Sequence, residues 1–196
     1  MQDFPETASQ TAGPYVHIGC TPNFAGITGV YPEDLGSRMI DRQVEGQRIT
    51  LTGQIFDGTG TPLRDAMIEA WQADAKGLFP GQEGADPHFL GFGRCPCSAE
   101  DGSFRFETVR PGPVPWAQGG MQAPHITLWI VARGINLGLH TRAYFADAPE
   151  NVSDPVLGRI EHRVRVKTLM AEAESNSVYR FNIHLQGPDE TVFFDA

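Results

Sequence analysis

The chain has 196 residues, 40% of them hydrophobic and 20% charged, which suits one domain with a sizeable core. Twenty-four acidic residues against 15 basic ones give a net charge of −9, which argues against nucleic acid and anionic membrane surfaces as partners. Three cysteines (Cys20, Cys95, Cys97) form no even framework, so they read as free thiols rather than the staples of a secreted domain.

From Met1 to Thr7 there is neither the positive start nor the apolar run of a signal peptide, and no window approaches the ~20 apolar residues of a membrane span. The cytoplasm is the expected location. Residues 1–45 are irregular, with Pro5, Pro14, Pro22 and Pro32 among scattered glycines. Thr11 to Ile18 mixes turn formers with Tyr15, Val16 and Ile18, so it is expected to lie as an extended arm over a surface, its own or a partner's. From Arg48 the pattern alternates: Ile49, Leu51 and Ile55 against Thr50, Thr52 and Gln54 mark a half-buried strand. Further strands are expected over 66–73, 103–109, 124–132, 140–145 and 178–185, separated by Gly/Pro turns such as 57–62. Ser153-Asp154-Pro155 is a helix start, predicting a short helix near 153–160. The expected fold is therefore all-β, an antiparallel β-sandwich over 46–196 preceded by an arm over 1–45 that packs on a partner chain.

Candidate chemistry is sparse. There is no Gly-rich phosphate loop, no nucleophile elbow, and no H-x-H or H-x-x-x-H pair among the six histidines. Each histidine, including His125 and His184 within strand patterns, reads first as a hydrogen-bonded structural residue. Two stretches stand out. Arg110-Pro-Gly-Pro-Val-Pro-Trp116 feeds a strand that opens at His125, and Trp71-Gln-Ala-Asp-Ala-Lys-Gly-Leu-Phe79 ends a strand in a turn. On their own these describe a rigid loop, a core tryptophan and a surface turn.

Taken together, Trp71-Gln-Ala-Asp74, Pro111-Gly-Pro-Val-Pro-Trp116, Pro124-His-Ile126 and Thr141-Arg-Ala-Tyr-Phe145 resemble the intradiol ring-cleaving dioxygenases, in order along essentially the whole chain. Ser9-Gln-Thr-Ala-Gly-Pro-Tyr15, Ala132-Arg-Gly-Ile-Asn136 and Glu190-Thr-Val-Phe-Phe194 resemble the α-type chain of two-subunit members of that family. In the family's catalytic chain, two tyrosines and two histidines hold a ferric ion, whose hard charge suits phenolate oxygen. The resemblance puts Phe79 and Val114 at the tyrosine positions and His125 and Thr127 at the histidine positions. Gln122 and Arg142 fall where the catalytic chain has an arginine and a glutamine beside the ligands. It thus implies no metal and no catalytic residue in this chain alone, with Fe(III) carried by a partner β subunit in a hetero-oligomer.

The same resemblance implies that Thr11, Gly13, Pro14, Tyr15 and Arg133 rim the partner's substrate site, where an aromatic carboxylate binds. The implied reaction inserts both atoms of O₂ into 3,4-dihydroxybenzoate, giving 3-carboxy-cis,cis-muconate. Two alternatives stand beside it. One is a self-sufficient dioxygenase using Tyr15, Tyr144, Tyr179 and His125 as ligands; the other is a transthyretin-like β-sandwich that binds a ligand without catalysis.

Overall fold

A computed structural model of the chain describes residues 11–195. The described chain opens with helix α1 (Pro14–Cys20), where an extended arm was expected. Pro14 sits in its first turn, where a missing N–H costs nothing, and the Thr21 N–H closes it on the His17 carbonyl at 2.8 Å. His17 ties the helix down, its Nε2 lying 3.1 Å from the Asp65 carbonyl.

The strands follow in order: β1 (Arg48–Phe56), β2 (Met67–Trp71), β3 (Phe92–Pro96), β4 (Ser103–Val109), β5 (Val114–Pro115), β6 (Met121–Gln122), β7 (His125–Val131), β8 (Leu139–Phe145), β9 (Met170–Ser175), β10 (Val178–Arg180) and β11 (Ile183–His184). The all-β expectation holds in strand content. Hydrogen bonds join nine strands in one sheet, along the path β11-β1-β10-β9-β8-β7-β2-β3 with β4 paired to β1. The pairing is not antiparallel throughout, since β1 runs parallel to β10 and β11, and β8 parallel to β9. β5 and β6 form a separate two-stranded hairpin.

Alternation builds the core. Ile49, Leu51 and Ile55 of β1, Phe104 and Phe106 of β4, Ile126, Leu128 and Ile130 of β7, and Ala143 and Phe145 of β8 all join one buried cluster. The two ends of the strand path thus share a single interior, and the residues between these face outward. Gly53 is required where β1 meets the segment after β10: a Cβ there would lie 1.9 Å from the Phe181 carbonyl oxygen.

Where a short helix was expected, Pro149–Ser153 and Leu157–Arg159 form two 3-10 turns separated by residues 154–156. Asp154 does cap, its Oδ1 accepting the Val156 and Leu157 N–H groups at 2.8 and 2.7 Å. Its Oδ2 accepts the Ala123 N–H at 2.7 Å, so the carboxylate anchors this segment to the link between β6 and β7 instead of starting a longer helix. The three thiols are free. Burial pushes the Cys97 thiol up to about 12.

Candidate functional site

The fold gathers Phe79, Val114, Gln122, His125, Thr127 and Arg142, the six positions that the resemblance compares with a metal site, around one patch on the outer face of the sheet. Because Ile126 and Leu128 enter the core, His125 and Thr127 of β7 share the opposite face. Across the ladder, Tyr144 of β8 stands opposite His125, and Arg142 opposite Thr127. On the other side Trp71 of β2 stands opposite Thr127, and Phe79 stacks on Trp71 with centroids 5.8 Å apart and planes within 10°. Trp71 is therefore no core residue; it is 42% exposed. In the hairpin, Val114 pairs with Gln122, whose Oε1 accepts from Arg142 Nη1 at 2.7 Å and whose Nε2 donates to the Pro115 carbonyl at 3.2 Å.

The two motifs that frame the patch are held by buried polar groups. Gln72 donates to the Val109 carbonyl at 2.9 Å and accepts from Thr108 Oγ1 at 3.0 Å. Asp74 Oδ1 accepts the Lys76 and Leu78 N–H groups at 2.8 and 2.9 Å, while Oδ2 accepts that of Asp86 at 2.9 Å. The Asp74 carbonyl takes the Gly112 N–H at 2.9 Å, which fastens the proline-rich loop to this turn. Gly77 has φ +82° and a Cβ there would lie 2.1 Å from the Pro113 carbonyl oxygen, so no side chain fits between the two loops. This contact carries Val114 and Phe79 to the same patch.

The patch is poor in donors for a metal. His125 is buried, with Nδ1 2.7 Å from the Ala123 carbonyl, so that nitrogen carries the proton. Burial, reinforced by the Arg142 charge, lowers its pKa to about 4 and keeps the imidazole neutral. Burial likewise raises the Tyr144 hydroxyl to about 12, so the phenol stays protonated between Arg142 at 3.3 Å and Asp154 at 3.5 Å. Asp154 is engaged by three backbone N–H groups. The sequence reading treated Asp154 only as a helix cap; its tie to Ala123 depends on a long-range contact that no local motif reveals.

The residues expected at a partner's rim lie elsewhere. Thr11 Oγ1 donates to the Ala132 carbonyl at 3.3 Å and accepts the Gly134 N–H at 2.8 Å, bracketing Arg133. Gly13 precedes α1, Pro14 begins it, and Tyr15 on that helix is 83% exposed. Arg133 is exposed and pairs with Asp65 at 3.0 Å, the residue whose carbonyl holds His17. This cluster adjoins the C-terminal end of β7 while His125 begins it; at ~3.3 Å per residue the two lie roughly 20 Å apart. The ligand set imagined for a self-sufficient enzyme does not form. Tyr144 lies beside His125, with ring centroids 5.3 Å apart, but Tyr179 packs edge-on against the core residue Phe145 and bonds Asp147, and Tyr15 is on α1.

This architecture and these motifs define a class of protein. The family model described as "Dioxygenase" matches residues 21–187, and the chain belongs to that family. It is 44% identical to the protocatechuate 3,4-dioxygenase alpha chain of Pseudomonas putida, over 97% of this chain and 96% of that one. It is also 34% identical to the protocatechuate 3,4-dioxygenase beta chain of Burkholderia cepacia, over 74% of this chain and 67% of that one. Among solved structures, the dioxygenase domain of a carbohydrate-binding fusion protein from Streptomyces sp. SirexAA-E matches with a TM-score of 0.60 at 23% identity, over 80% of this chain and 88% of that one, a likeness of fold.

Proposed function

We propose that this chain is the α-type, non-iron-binding subunit of an enzyme that cleaves 3,4-dihydroxybenzoate with O₂ to 3-carboxy-cis,cis-muconate. A β-type chain carries the ferric ion and the chemistry, and this chain completes the substrate site. The full-length identity to an alpha chain, together with the separate match to a beta chain, supports the pairing. The observation that carries the reading is the division of labour along β7. One end presents positions that would have to hold iron and lack the donors for it; the other presents the arm and Arg133.

Ferric iron does not fit the donors present. Hard anionic oxygen is what stabilises that oxidation state, and Phe79 and Val114 offer only carbon at the tyrosine positions. Thr127 offers a neutral hydroxyl, leaving His125 as the one imidazole. In the partner's site, Arg133 supplies a guanidinium for the substrate carboxylate and Tyr15 an amphipathic wall.

Residues 1–45 form the partner-facing arm and 46–196 the family domain, whose folded-over sheet we read as a two-layer sandwich. Phe24, Val30 and Leu35 remain exposed along the arm, an apolar surface suited to burial against a second chain. Among the described residues no helix is long and apolar enough to cross a membrane. Free thiols favour a reducing compartment, so the cytoplasm is the proposed location.

The test is reconstitution. Co-expression with a β-type chain should give a stable complex that takes up O₂ in the presence of 3,4-dihydroxybenzoate, and the full chain alone should not. Turnover by the isolated chain, or failure to associate with any β-type chain, would overturn the reading.

A further inference from the structure

A cleft of about 620 Å³ opens on the outer face, lined by Thr127 and Arg142 of the patch and by the 3-10 segments that follow β8. Arg142 projects into it. The guanidinium donates to the neutral Gln122 amide and the Tyr144 hydroxyl, and lies 5.8 Å from the centre of the Phe194 ring. Among the described residues it pairs with no carboxylate, although the chain is acidic and ten other ion pairs form. A second guanidinium on the lining, Arg159, also bonds a neutral amide, that of Gln118, and sits 5.5 Å over the Trp116 ring. Arg165 on the same lining is already matched by Glu190 at 2.9 Å.

Arg142 spends only Nη1 on these neutral partners, and a planar guanidinium is shaped to take a carboxylate through two parallel hydrogen bonds. The remaining surface suits a flat apolar body, with Trp116, Ile160, Val192 and Phe194 in the walls. Glu161 and Asp195 also line the cleft and form no ion pair among the described residues, so they limit it to ligands of low charge. A phosphate ester or polyanion would meet both carboxylates.

We propose that this cleft is a binding site of the chain's own for a small aromatic monocarboxylate, with Arg142 taking the carboxylate and Trp116 and Phe194 flanking the ring. The site is separate from the rim formed by the arm and Arg133, and it does not depend on the partner chain's chemistry. No bond is made or broken there.

The experiment is calorimetric titration of sodium benzoate, and separately of its neutral isostere benzamide, into the full chain. A ligand of this size with one charged anchor should saturate one site with a dissociation constant of about 0.1–1 mM. Benzamide should bind at least tenfold more weakly. Arg142→Gln should weaken benzoate at least tenfold, and Arg133→Gln should change it less than twofold, which separates this site from the proposed rim. If Arg142→Gln does not fold, as judged by circular dichroism, Arg159→Gln and the benzamide comparison decide the matter. Absence of saturable binding, equal affinity for benzoate and benzamide, or full affinity in a folded Arg142→Gln chain would overturn the proposal.

Discussion

Replacing Asp74 by alanine tests the framework that brings the patch together. Its carboxylate takes three backbone N–H groups, from Lys76, Leu78 and Asp86. Lys76 is exposed, so water replaces its bond, whereas Asp86 is buried and Leu78 partly so. A shielded donor left without a partner costs about 1–3 kcal/mol, so two of them put the loss near 4 kcal/mol. For a chain of this size that is a fall in Tm of about 8–16 °C. Asp74→Asn keeps an oxygen for two of the three donors and should cost no more than about 2 kcal/mol. Urea unfolding followed by tryptophan fluorescence reads both variants. An Asp74→Ala chain within about 1 kcal/mol of the parent would refute the view that this side chain holds the 74–86 turn and, through the Asp74 carbonyl, the proline-rich loop.

The buried, neutral His125 makes stability depend on pH. Its pKa falls from 6.5 to about 4 on folding, so its contribution is complete above pH 6.5 and fades as pH drops toward 4, where the unfolded chain binds the extra proton. The full span is about 3 kcal/mol, and His125→Gln should flatten that part of the curve in unfolding measured from pH 7 to pH 4. At the rim, Tyr15→Ala or Arg133→Ala in the assembled enzyme should raise KM for 3,4-dihydroxybenzoate several-fold with kcat little changed. Both side chains are exposed, so the stability of the chain should shift by less than about 0.5 kcal/mol. An unchanged KM would remove these residues from the substrate site.

Strands with two-residue alternation were legible from sequence because their pattern is set by burial on one face, as with Ile126, Leu128 and Ile130. β3 and β9 were not. β3 reads Phe-Gly-Arg-Cys-Pro, with two strand breakers, and β9 reads Met-Ala-Glu-Ala-Glu-Ser, built of helix formers and mostly exposed. Pairing with neighbouring strands overrides both local preferences. The 3-10 segment Arg163–Leu169 escaped for a similar reason, its β-branched residues arguing against any helix. The arm was read as ordered, and Thr11 is indeed anchored, but Pro14 began a helix where prolines and glycines suggested extension. At the patch, Phe79, Val114, His125 and Thr127 were identified by resemblance alone. Nothing in their spacing reveals that these two loops meet, since that meeting rests on Gly77 against Pro113. The cleft around Arg142 was not legible either, because its walls come from five separate segments.

The most direct test of the division between the two chains is the iron content and visible spectrum of the full chain, prepared with ferric iron available, alone and in complex with a β-type chain. Tyrosinate bound to ferric iron is strongly coloured, so no substrate is needed. The chain alone should be colourless and hold no stoichiometric iron, and the complex should be coloured with one iron per pair of chains. A coloured chain holding one iron by itself would contradict the account.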